Sequence, residues 1–121
     1  MKGLAAVIAI LPFAAVAQEF AVRDGDTLFD RAGLENEVTG RTLLFFDDGR
    51  SKFSAGGAYS YTYSEVNGGG TQFGSFAIKD DGIICILYRN GFDRCDMYVR
   101  SNGRLVVLTG NGDRYPVRAI Q

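Results

Sequence analysis

The stretch that most constrains this chain runs from Ile83 to Arg100, two largely apolar arms around Arg89-Asn90-Gly91 with one cysteine on each arm. Asn-Gly between apolar runs is a strong hairpin signal, because both residues tolerate positive φ. Cys85 and Cys95 are the only cysteines, so the turn decides whether they meet. A three-residue loop of Arg89, Asn90 and Gly91, a type I turn with Gly91 as the bulge residue, sets Tyr88 opposite Phe92 and Cys85 opposite Cys95. Counted outward from a hydrogen-bonded closing pair, the cysteines fall on a non-hydrogen-bonded pair, where side chains come closest and a disulfide fits. A two-residue turn at Asn90-Gly91 would instead place Cys85 opposite Asp96. The cysteines favour the three-residue loop.

An even cysteine count fits an oxidising compartment, and the N-terminus agrees. Lys2 supplies a positive start, Leu4 to Ala15 an apolar core, and Ala15-Val16-Ala17 a small-x-small cleavage site, so residues 1–17 read as a cleavable signal peptide. The apolar run is shorter than the ~20 residues of a membrane-spanning helix, and no lipid-anchoring cysteine follows it. The expected location is the periplasm or the secreted space, with no membrane attachment after cleavage. Removing Lys2 leaves 12 Lys and Arg against 14 Asp and Glu, a net charge of −2, mixed along the chain. No basic face for nucleic acid is indicated. There is no histidine, which removes the commonest general base and metal ligand.

Residues 18–29 read as a loosely held mature N-terminus, and 30–121 as one β domain. A short helix is expected over Arg31 to Thr39, with Asp30 as N-cap, Phe29 as a hydrophobic staple and Gly40 as the stop. Gly33 within it costs about 1 kcal/mol relative to alanine, so this helix needs packing on, or across the mouth of, a sheet. After Gly40 the apolar period becomes two. Strands are expected at 41–46, 50–55, 58–64, 71–78, on the two arms of the cysteine hairpin, at 104–109 and at 114–120, separated by Gly-rich turns. Pro116 cannot donate to a ladder, which puts the last strand at an edge or a bulge. The fold class is all-β with one short helix: an antiparallel meander of about eight short strands, as a small barrel or strongly curved sheet rather than a sandwich. The short strands and charged outward faces argue against an outer-membrane barrel.

Gly40-Arg41-Thr42, Phe46-Asp47-Asp48-Gly49, Asp81-Gly82 ahead of Cys85, and Arg94-Cys95-Asp96 resemble the motifs of a group of small exported bacterial proteins. Their family is described only as a domain of unknown function. The resemblance spans Gly40 to Arg118 and implies fold and compartment, without any residue role.

Tyr59, Tyr61 and Tyr63 alternate onto one face of a strand, where they would form a platform for a glycan or protein partner. The competing and favoured reading is that they pack as core or brace the sheet. Glu65 and Asn67, on the Gly-rich loop Glu65 to Gly70, are the other candidate contacts. Asp24-Gly25-Asp26, Asp47-Asp48-Gly49, Asp80-Asp81-Gly82, Asp93 with Asp96, and Asp113 offer the oxygen chemistry of calcium. Asp-Gly is ordinary turn chemistry, however, and no EF-hand loop is present. Cys85 and Cys95 lack Cys-x-x-Cys spacing and read as structural. No catalytic residue, metal or cofactor is expected. The leading expectation is an exported, non-enzymatic binding or accessory protein with a protein or glycan partner in the cell envelope. The alternative is an inhibitor of an exported protease or lysozyme that inserts the loop Glu65 to Gly70.

Overall fold

Alternating strands carry the chain into one meander that closes on itself. The structure, a computed structural model, describes residues 19–121; the expected signal peptide lies outside the described residues. A two-residue strand β1 (Thr27–Leu28) and helix α1 (Arg31–Val38) come first. They are followed by β2 (Arg41–Phe45), β3 (Arg50–Phe53), β4 (Ala58–Thr62), β5 (Thr71–Ile78), β6 (Ile83–Tyr88), β7 (Asp93–Ser101), β8 (Arg104–Leu108) and β9 (Arg114–Ile120). From β2 to β9 each strand pairs antiparallel with the next, and β9 returns to β2 with Leu43 opposite Ile120. The eight strands form a closed barrel, the solution that removes exposed ladder edges. β1 is additional, setting Thr27 opposite Arg100 and Leu28 opposite Val99 on β7, beyond the last residue that β7 shares with β6.

The cysteine hairpin has the expected register. Tyr88 N–H donates to the Phe92 carbonyl and Gly91 N–H to the Tyr88 carbonyl, both at 2.8–2.9 Å, which is the three-residue loop. Gly91 has φ +91, a conformation that costs glycine little. Cys85 lies directly opposite Cys95, with Cα atoms 4.0 Å apart and the disulfide formed.

Parity then sorts the side chains. With the cystine facing outward, Ile84, Ile86 and Tyr88 of β6 and Arg94, Asp96 and Tyr98 of β7 face the interior. The centre of the core is Phe53, whose ring meets Tyr59 at 5.1 Å, Phe76 at 5.1 Å and Tyr98 at 6.4 Å. Helix α1 caps one end. Asp30 Oδ1 accepts from Gly33 N–H at 2.8 Å, and a Cβ at Gly33 would sit 3.1 Å from that oxygen, so the residue that weakens the helix also makes room for its cap. Leu34 and Val38 are fully buried against the barrel core. Arg31 pairs with Asp80 of the β5–β6 turn and Glu37 with Arg100 of β7, fixing the helix across this end.

The last strand and the N-terminal segment each take a definite place. Of the two places expected for the last strand, an edge or a bulge, it has the second: β9 lies between β2 and β8, with Arg118 as the extra residue where Leu44 and Phe45 oppose Ala119 and Val117. Residues 19–29 make defined contacts along the barrel from Glu19 on, whose N–H donates to the Gly110 carbonyl. Phe20 packs on outward-facing Val99, Val106 and Leu108, so β8 is buried on both faces. Arg114 donates to both Asp26 carboxylate oxygens, at 2.7 and 3.1 Å, and to the Ala21 carbonyl at 2.8 Å. Elsewhere the outer face carries exposed Arg50 and Lys52 on β3, while the packed core around Phe53 is apolar and aromatic.

Candidate functional site at the open end of the barrel

Helix α1 covers one end of the barrel; the turns at 46–49, 63–70, 89–92 and 109–113 surround the other. Between them lies a cavity of about 910 Å³ that opens to solvent. Its walls are mainly the inward-facing positions nearest these turns, with Asp93 and Cys95 at the rim, and all six tyrosines of the chain line it: Tyr59, Tyr61, Tyr63, Tyr88, Tyr98 and Tyr115. Phe45, Phe46 and Phe92 complete the aromatic lining.

The expected tyrosine row divides by depth. Tyr59 is buried, its ring on Phe53 and its hydroxyl 2.9 Å from Ser51 Oγ, so core packing describes this residue. Tyr61 is half-buried in the wall, and Tyr63 is exposed at the mouth with its ring edge-on to Tyr61 at 4.9 Å. Tyr88, on β6, meets Tyr59 edge-on at 6.0 Å and stacks with Phe92 at 6.1 Å. Gly74 makes the Tyr59–Tyr88 contact available. It lies between the two in register, and a Cβ there would fall 2.3 Å from the Leu87 carbonyl oxygen, so β5 and β6 approach too closely for a side chain.

Strand β7 supplies the polar part of the wall, with exposure falling from mouth to floor. The Arg94 side chain is 42% exposed, Asp96 7%, and Tyr98 3% as a whole residue. Arg94 Nε and Nη2 donate to the two oxygens of Asp96 at 2.9 and 3.0 Å, a two-point ion pair along one strand. Burial pushes the Asp96 carboxyl up, and the Arg94 guanidinium pulls it back part of the way. Burial also raises the Tyr59, Tyr88 and Tyr98 hydroxyls. Tyr61 is pushed up to about 12, first by burial and then by the Asp47 charge.

The loop candidates flank this mouth. Glu65 and Asn67 lie on a short 3-10 turn, exposed, with Asn67 Nδ2 3.4 Å from Asp47 Oδ2. Of the acidic clusters, Asp26, Asp48, Asp80 and Asp96 are each engaged by an arginine. Asp47, Asp93 and Asp113 line the cavity, and none of them forms an ion pair among the described residues. Among those residues no three acidic or cysteine side chains form a group that could hold a metal ion.

Residue-level reading of the sequence brought in Tyr59, Tyr61 and Tyr63 but not Tyr88, Tyr98, Arg94 or Ser51. The missing signal was parity: once Cys85 and Cys95 are paired, Tyr88, Arg94, Asp96 and Tyr98 share the opposite face. Both faces of β6 are apolar, so the pattern itself does not say which face is interior. Comparison of the chain with protein-family models, with curated proteins and with solved structures gives no match. The geometry of the mouth therefore carries the functional argument.

Proposed function

We propose that this is an exported, non-enzymatic binding protein that takes its partner in the tyrosine-lined cup. The observation that carries this reading is the solvent-open cavity of about 910 Å³ on which all six tyrosines converge. A volume of this order is that of a small-molecule site, and eight-stranded barrels are wide enough to hold one ligand at the mouth. Aromatic walls bring large contact area at low rotamer cost, with hydroxyls to fix orientation. The disulfide is consistent with an oxidising location, which supports the export reading. Burial raises the hydroxyls of Tyr59, Tyr61, Tyr88 and Tyr98, and Asp96 is held by Arg94, so the inner cup is better equipped to bind than to transfer protons.

The test is a ligand screen by thermal shift on the mature chain and on a Tyr63→Ala/Phe92→Ala variant. Both residues are exposed at the mouth, so the variant should melt within a few degrees of the parent. A ligand of the cup raises the parent melting temperature by mass action and raises the variant's less. If every stabilising ligand acted equally on both, the cup would not be the site.

The inhibitor reading has one observation in its favour. Val66, on the loop Glu65 to Gly70, is 88% exposed beside the mouth. An inhibitor acting through this loop would lose potency on Val66→Asp and would be indifferent to Tyr63→Ala/Phe92→Ala.

A further inference from the structure

We infer that the ligand of the cup is a small organic cation, such as a quaternary ammonium compound; the inference rests on the binding reading above. Charge is the first ground. Four aspartates (Asp47, Asp93, Asp96 and Asp113) and one arginine, Arg94, line the cavity, and no lysine does, which gives the lining a net charge of −3. Arg94 spends its charge on Asp96 through two hydrogen bonds. The excess therefore resides at the mouth, on Asp47, Asp93 and Asp113, which have no basic partner among the described residues.

Arg104 already lies over the Phe46 ring at the mouth, at 5.2 Å, and other neighbouring arginines are committed away from the cup. Arg89, on the β6–β7 turn, lies over the Phe73 ring at 5.3 Å. Arg118 pairs with Asp48, and Arg114 with Asp26. Carboxylates of one sign around a cleft with low-dielectric walls focus the field into it and raise the local concentration of a counter-charged ligand.

Aromatic faces are the second ground, independent of the carboxylates. Nine aromatic side chains line the cavity. Ring faces carry the negative end of the quadrupole, and a desolvated cation near them gains most when several surround it. An ammonium whose hydrogens are replaced by alkyl groups pairs with such walls without needing a hydrogen bond for each.

The test is an NMR titration of the mature chain, following tyrosine ring signals at constant low ionic strength. The probes are benzyltrimethylammonium chloride, sodium benzoate, benzyl alcohol and a blocked Gly-Lys-Gly peptide. The expected result is saturable shifts of cup tyrosines with benzyltrimethylammonium, at least tenfold tighter than with benzoate or benzyl alcohol. Asp47→Asn/Asp93→Asn/Asp113→Asn, which keeps the size and one acceptor oxygen of each side chain while removing its charge, should weaken that binding at least fivefold. Equal or tighter binding of benzoate or benzyl alcohol would overturn the cation assignment and leave the cup as a binding site. Tighter binding of the peptide would overturn the free-ligand assignment in favour of a partner's basic side chain. If benzyltrimethylammonium shifted no cup tyrosine, the inference would be wrong, while the thermal-shift screen would still judge the binding reading separately.

Discussion

At the scale of single residues, the cup depends on polar atoms that have one partner each. Ser51 Oγ and the Tyr59 hydroxyl meet at 2.9 Å within the core, between neighbouring strands β3 and β4. Removing one side of a buried pair leaves the other desolvated, which costs about 1–3 kcal/mol, whereas removing both is far cheaper. Ser51→Ala should therefore lower stability by about 2 kcal/mol. The Ser51→Ala/Tyr59→Phe double variant should recover much of that loss, as read by urea unfolding in a double-mutant cycle. Additive losses would mean that the two hydroxyls are not coupled. Tyr59 also shows how far a residue can be read alone: strict alternation placed it correctly on a face with Tyr61 and Tyr63, but burial separates the three only once β3 and β5 flank them.

At the scale of elements, the hairpin and the N-terminal segment differ in how they are specified. Asn90-Gly91 and the two cysteines fix the β6–β7 register from residues close in sequence, and the structure has that register. A cross-link closing so short a loop stabilises by roughly 2–3 kcal/mol on the chain-entropy model. Cys85→Ala/Cys95→Ala should lose about that much, read as a lower urea midpoint with secondary structure retained.

The N-terminal segment has no comparable local signal. Its anchor joins Asp26 to Arg114, 88 residues apart, and Asp-Gly-Asp reads in isolation as turn chemistry. The acid side of the stability profile reports on this anchor. The Arg114 guanidinium holds the Asp26 carboxyl down at about 2, against an ordinary 3.8. The folded chain thus binds fewer protons than the unfolded chain in that window. The anchor's contribution is complete above about pH 4 and is lost as pH falls through 2. Asp26→Asn should be less stable than the parent at pH 6 and should lose less on acidification, by thermal melts at pH 6, 4 and 2.5. An equal acid loss in both would place the titrating group elsewhere.

At the scale of the whole molecule, the barrel divides stability from accessibility along its axis. One end is filled by Leu34 and Val38 of α1 packed on Leu43, Phe53 and Ile84, all fully buried; the other holds the cavity and exposed Phe46, Tyr63 and Phe92. Closure itself rests on Leu43 meeting Ile120, the first strand of the barrel meeting the last. Turn spacing and alternation therefore point to the eight strands of the barrel, though not to β1, while leaving barrel and curved sheet both open. The axial division has a measurable form. Leu34→Ala removes a fully buried side chain and should cost about 3 kcal/mol, a fall in melting temperature of roughly 10 °C or more for a domain of this size. Its ligand dissociation constant at 20 °C should stay within about twofold of the parent, because the helix lies at the far end from the cup. Tyr63→Ala/Phe92→Ala should do the reverse, melting near the parent and binding at least tenfold more weakly. If Leu34→Ala weakened binding as much as the mouth variant at a temperature where it remains folded, the two ends would be coupled, and the cup would be a property of the whole barrel rather than of its mouth.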